Sequence, residues 1–304
     1  MEMKKDFLSI ADLTKDEIFE IWDLANKLKA NPIGDQLKGK VFALFFEKPS
    51  TRTRISFEAG IAQLGGSTIY IDVKTTQLTR GETIEDTART MERYVDMVIA
   101  RVYSHETLVR MAINMKKPVV NALSDLEHPC QALSDLFTIK EKFGKVEGIH
   151  IAYVGDGNNV CNSLILAGAI VGAKVYIASP PQYMPNRAII DMARKIAGDG
   201  IKITSVPEEA VRGADVVYTD VFVSMGDERE REERIKTFIP KFRVTRELMK
   251  LASRNAIFMH CLPAHRGEEV EEDVIDGPQS VVFDQAENRM HVQKALILKL
   301  LKLA

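Results

Sequence analysis

Cysteine is scarce. Three occur in 304 residues, Cys130, Cys161 and Cys261, without the paired spacing of a disulfide framework or a CxxC metal site. Reduced thiols, as in a cytoplasmic protein, are expected. An excess of one charge is also missing: 41 basic residues against 43 acidic ones leave a net charge of -2, so binding of nucleic acid by bulk charge is not expected. No apolar run approaches the ~18–20 residues of a membrane span. The opening MEMKKDFLSI has no apolar segment followed by a small-residue cleavage site, so neither a membrane nor a secretory signal is expected. Repeats and low-complexity tracts are absent too. The charge-dense GDEREREERIK at 226–236 is predicted to be a solvated helix face.

What is present is a globular composition, 45% apolar and 28% charged, on a chain long enough for two domains. Short apolar, β-branched runs recur at 41–46, 67–72, 97–101 and 118–123, and again at 149–155, 173–179, 201–206, 214–220, 256–262 and 280–285. Continuous rather than alternating runs predict strands buried on both faces, as in parallel sheets. Helical patterns separate them. In 54–64, Ile55, Ala59 and Ala62 share one face and Phe57, Ile61 and Leu64 another, before Gly65-Gly66 stops the helix. The fold class is therefore α/β: two domains, each a mainly parallel β-sheet flanked by helices, joined by helices. The amphipathic helix 129–142 and the polar IKEKFGKVEG after it place the break. Residues 1–144 form one domain, with a C-terminal helix 286–304 packing back on it, and residues 145–285 the other.

Ligands of open parallel sheets bind beyond the carboxyl ends of the strands, and the unusual residues fall there. PSTRTR follows the first run, at a helix start. Helix amino termini offer unpaired N–H groups and a positive dipole end; hydroxyls and arginine forks add anion donors. A serine cap with solvated arginines is the plainer alternative. Arg101 closes the third run, and His128-Pro129-Cys130-Gln131 follows the fourth. At a helix front the dipole favours a neutral imidazole, able to donate to a carbonyl without full charge. VGDGNNV has Gly155 and Gly157 but Val160 at the third glycine position, and the next strand ends without a ribose-binding acid, which argues against a dinucleotide. There the glycines are expected to let Asn159 project. Asp220 closes ADVVYT. HCLPAHR groups His260, Cys261 and His265, but not at structural-zinc spacing, so no metal is expected.

In order along essentially the whole chain, FEKPSTRTRISFE, RGETIEDTARTMERY, HPCQALSDLFTI, VGDGNNV, TDVFVSMGDERE, HCLPAHRGEEV and VFDQAENRMH resemble the aspartate/ornithine carbamoyltransferase family. SMG and HCLP are similar to its ornithine branch; Phe222 stands where that branch commonly has Trp. The resemblance implies carbamoyl transfer from carbamoyl phosphate to the δ-amine of L-ornithine, with no cofactor. It implies carbamoyl-phosphate contacts from Ser50, Thr51, Arg52, Thr53, Arg101, His128, Pro129, Cys130, Gln131, Cys261, Leu262 and Arg289. Gln77 would serve a neighbouring subunit's site in a homotrimer or an assembly of trimers. Asn159, Asp220, Ser224 and Met225 would hold ornithine. Arg101, His128 and Cys261 are the expected catalytic groups, with a Cys261 thiolate or the leaving phosphate taking the amine's proton. The loop around Gly226 is expected to close over ornithine. Another acceptor amine (aspartate, putrescine or N-acetylornithine) and a non-catalytic binding homologue are the competing assignments.

Overall fold

The computed structural model describes residues 5–303 other than Met225 and Asp227. The chain divides into two compact units, Met1–Ser134 with Glu287–Ala304, and Asp135–Ala286.

In the first unit, Thr14 and Glu17 form a reciprocal capping box that starts α1 (Lys15–Ala30). Ile18, Ile21, Trp22, Ala25 and Leu28, spaced for one helix face, are buried. Then follow β1 (Val41–Phe46), α2 (Thr51–Gln63), β2 (Ser67–Asp72), α3 (Ile84–Met91), β3 (Met97–Arg101), α4 (His105–Ile113), β4 (Val119–Leu123) and the start of α5 (Pro129–Phe143), which from Asp135 onward belongs to the second unit. The four strands are parallel, in the order β2-β1-β3-β4. Burial on both faces accounts for the unbroken VFALFF: Phe42 to Phe46 are at most 1% exposed.

The second unit runs β5 (His150–Val154), α6 (Asn159–Val171), β6 (Lys174–Ala178), α7 (Arg187–Ala197), β7 (Ile201–Thr204), α8 (Pro207–Val211), β8 (Val216–Thr219), α9 (Arg231–Phe242), α10 (Arg246–Met249), β9 (Ile257–His260), α11 (Glu272–Ile275) and the first turn of α12 (Val282–Leu300), which from Glu287 onward belongs to the first unit. Its five strands are parallel, in the order β7-β6-β5-β8-β9. Its core gathers Val154, Val217, Phe222, Phe238, Phe242, Phe258 and Val270. Among the described residues no helix is long and apolar enough to cross a membrane.

In each sheet the strand order reverses once, between β1 and β3 and between β5 and β8. Crevices at the carboxyl ends of such strand pairs are where this architecture binds ligands.

Two sequence expectations change, and of the two apolar faces of α2 one is buried. The run at 280–285 is not a strand: Ser280 makes one bridge to Phe258, and the chain then enters α12. Its three apolar residues are too few against the helix-forming stretch that follows them. In α2 only the Phe57 and Ile61 face is buried, while Ile55 is 57% exposed. The charged run at 226–236 is not wholly solvated, because Arg234 is 8% exposed.

Candidate active site

At the first sheet's reversal, β1 leads into α2 through Pro49 and Ser50. Ser50 is extended (φ -162°, ψ 116°), and its Oγ accepts the Thr53 N–H at 3.3 Å. The serine cap is present and is compatible with an anion at the helix start, since one hydroxyl satisfies only one of several free N–H groups. Arg54 turns elsewhere: its guanidinium lies 3.8 Å from the Tyr70 ring centre and pairs with Glu58 at 3.0 Å. Thr53 is buried, and its Oγ1 accepts from Arg289 Nη2 at 3.3 Å, which ties α2 to α12.

Arg101 ends β3 where its pairing with β4 slips register between Ala100 and Arg101. Such an irregularity re-aims the side chain at a strand end. Arg101 is 7% exposed. His128 immediately precedes α5, its carbonyl accepting the Gln131 and Ala132 N–H groups, with Pro129 as first helical residue. His128 is 5% and Gln131 1% exposed. Burial, then the charges of Arg289, Arg101 and Arg52, hold the imidazole well below its ordinary range. The imidazole is therefore neutral at pH 7, as the sequence led us to expect, but from desolvation and three guanidiniums.

Arg52, Thr53, Arg101, His128 and Arg289 are thus brought together. The Cys130 thiol points away, bonding the Asn121 carbonyl at 3.4 Å, and burial pushes it up to about 12. Only its backbone is left for a ligand. Gln77 lies on a separate segment, the one-turn helix Gln77–Arg80 after β2.

At the second sheet's reversal, Asp220 follows β8 and is 6% exposed. Its Oδ1 accepts from the Val221 N–H (2.8 Å) and Cys261 Sγ (3.1 Å), and its Oδ2 from Asn158 Nδ2 (2.8 Å). Asn158 also caps α6, its Oδ1 accepting the Val160 and Cys161 N–H groups. The sequence singled out Asn159, the half-buried first residue of α6; its neighbour proves to be the one that reaches Asp220. A polar residue directly before an apolar helix was the available signal. Gly157 serves packing, since a Cβ there would stand 2.2 Å from the Pro185 backbone nitrogen, whereas Gly155 is set apart by its φ of 142°. Ser224 is half-buried, and Met225 lies outside the described residues.

After β9, His260 Nδ1 accepts the Leu262 N–H at 2.8 Å, so its proton is on Nε2, which donates to Glu269 Oε1 at 3.0 Å. This bond accompanies a left-handed Leu262, φ 59°, a conformation costing a non-glycine residue ~1–3 kcal/mol. It fixes the turn at Cys261. With both ring nitrogens engaged, His260 has none for a metal, and the nearby Asp220 and Cys261 bond each other. Gln285 Oε1 accepts the His260 N–H at 3.0 Å, and its amide donates to Asp135 Oδ1 at 2.7 Å. Neither Glu269 nor Gln285 was marked by the sequence as supporting this turn.

A guanidinium, hydroxyl and imidazole cluster at a helix start on one parallel sheet, and an acid, amide and thiol cluster on another, are compatible with an α/β transferase of the carbamoyl type. The chain belongs to the aspartate/ornithine carbamoyltransferase family: residues 5–141 match its carbamoyl-P binding domain and residues 147–300 its Asp/Orn binding domain. A protein of Methanoculleus marisnigri named ornithine carbamoyltransferase is 50% identical over 303 residues, 98% of this chain and 97% of that one. One of Thermococcus kodakarensis is 52% identical over 300 residues, 96% and 95% of the two chains. The solved ornithine carbamoyltransferase of Pyrococcus furiosus matches with a TM-score of 0.93 at 49% identity, covering 97% of this chain and 96% of that one.

Proposed function

We propose that this protein transfers the carbamoyl group of carbamoyl phosphate to the δ-amine of L-ornithine, giving L-citrulline and phosphate in arginine metabolism. The observation that carries this assignment is the convergence of Arg52, Arg101 and Arg289 on a buried neutral His128 beside Thr53. The near-half identity to ornithine carbamoyltransferases along the whole chain supports the acceptor.

The phosphate sits at the α2 amino terminus, held by N–H groups from Ser50 to Thr53 and by Arg52 and Arg289. Arg101, His128 and Thr53 donate to the carbamoyl oxygen. A neutral imidazole suits this: it polarises the carbonyl without drawing the substrate's charge to itself. On the acceptor side Asp220 takes the α-ammonium, with Asn159 and Ser224 on the carboxylate. The δ-ammonium loses a proton, and the free amine attacks the carbamoyl carbon. A tetrahedral species with charge on the former carbonyl oxygen forms, and the C–O bond to phosphate breaks. The nitrogen loses a second proton; the phosphate oxygens accept one of the two released, and the other passes to the Cys261 thiolate or to solvent. Each donor fixed on the developing oxyanion contributes ~3–4 kcal/mol, and alignment of two substrates ~7–11 kcal/mol. As a thiol Cys261 donates to Asp220; taking the amine's proton, the role proposed for it, requires its thiolate.

A homotrimer with Gln77 reaching a neighbour, and a cytoplasmic location suited to the free thiols, complete the proposal. The test offers L-ornithine, L-aspartate, putrescine and N-acetylornithine separately with carbamoyl phosphate. Turnover of ornithine alone is expected. A better rate with another amine overturns the acceptor assignment. Folded protein that binds carbamoyl phosphate and carbamoylates none of them is a binding homologue instead.

A further inference from the structure

The segment 222–230 carries Ser224, and both its ends are tied to one side chain. Arg234 Nη1 donates to the Phe222 carbonyl at 3.1 Å, and Arg234 Nε donates to Glu230 Oε2 at 3.2 Å. The same Nη1 donates to Asp156 Oδ2 at 2.9 Å, in an ion pair whose side chains are 10% and 8% exposed. The guanidinium also lies over the Tyr183 ring, 4.6 Å from its centre. Around this node the packing is tight. Phe222 stacks on Phe238, one turn beyond Arg234, at 4.6 Å and 16°. The Tyr183 carbonyl accepts the Gly157 N–H at 2.8 Å, which pins the turn that carries Asn158 and Asn159.

Arg234 therefore joins the start of the 222–230 segment, its end, and the 156–159 turn, the places that bear Ser224, Asp220's partner Asn158, and Asn159. Burying such a pair contributes little net stability, and apolar groups of equal volume often do as well. A planar fork with several fixed directions is suited to setting geometry. We infer that Arg234, paired with Asp156, is a positioning residue for the acceptor amino acid: it holds the two polar segments in register without touching the substrate. This rests on the acceptor being ornithine, as proposed above. Asp156, Phe222, Glu230 and Arg234 all belong to the second unit, so the acceptor end is the one expected to depend on the node.

The experiment compares wild type with Arg234→Gln, Arg234→Lys, Asp156→Asn and the Asp156→Asn/Arg234→Gln double variant, measuring kcat and KM for each substrate and binding of inorganic phosphate. Arg234→Gln is expected to raise the ornithine KM about tenfold or more, with the carbamoyl-phosphate KM and phosphate Kd within about twofold of wild type. Arg234→Lys keeps the charge but not the fork, and recovers part of the loss. The double variant resembles the single ones, because both substitutions break one pair. An unchanged ornithine KM, a parallel rise in both KM values, or additive effects overturn the inference. So does unfolding of every variant, which marks the pair as purely structural. A wild type that turns over no ornithine overturns the functional assignment instead, so the two failures are distinguished by the wild-type control.

Discussion

Both units hold a parallel sheet whose strand order reverses once, and both gather their unusual residues at that reversal, but with opposite chemistry. In the first, a helix start and three guanidiniums surround an imidazole that burial, aided by the guanidiniums, keeps neutral. In the second, a carboxylate is flanked by an amide and a thiol. One suits a phosphorylated, electron-rich donor; the other suits the ammonium end of an amino acid. The supports differ too. The helix start comes with its N–H groups already aligned. The second cluster depends on side chains beneath it: Asn158 under Asp220, Glu269 and Gln285 behind His260, Arg234 under the 222–230 segment. Topology chose the place in each sheet, and the local chain chose the charge.

The comparison breaks most readily at Arg101. If the first cluster does the chemistry, Arg101→Ala lowers kcat about 10²–10³-fold, the scale of a lost oxyanion donor, with little change in ornithine KM. A fall of less than about tenfold, measured as citrulline formed at saturating substrates, would remove the oxyanion role. A smaller effect separates the thiols. Burial pushes Cys130 up to about 12 and Cys161 well above its ordinary range, whereas Cys261 is partly exposed. Iodoacetamide near pH 8 is expected to label Cys261 alone, and bound ornithine to slow it. Cys261→Ala should cost about 10- to 100-fold in kcat, and Cys130→Ala little. Labelling of Cys130 at a comparable rate, read by peptide mass spectrometry, would contradict the burial account.

The first cluster was the more legible because its parts are contiguous. PSTRTR at a strand-to-helix junction carries its physics in six letters, although which arginine turns away could not be read: Arg54 is claimed by Tyr70 and Glu58, partners distant or ambiguous in sequence. Nine of the ten apolar runs became strands, and buried ones such as β1, β3, β4 and β8 carry the unbroken signature of two-sided burial. The tenth failed because three apolar residues entering a helix look the same as the start of a strand. The second cluster's candidate residues were visible as strand-end oddities, but its supports were not. Arg234 sits in a run of charge that reads as solvent, and only the fold brings Asp156, 78 positions away, against it. Glu269 was likewise hidden in an acidic pair. Buried charge is legible only once its partner is known.

The most direct test of the division between the units is a paired binding experiment on Arg52→Ala and Asp220→Asn, each titrated with carbamoyl phosphate and assayed for ornithine KM. The account predicts that Arg52→Ala weakens carbamoyl-phosphate binding at least about tenfold, the loss of a charge-assisted fork. Asp220→Asn should leave that binding unchanged and raise the ornithine KM. Full carbamoyl-phosphate affinity in Arg52→Ala, or an equal loss of both substrates in Asp220→Asn, would contradict it.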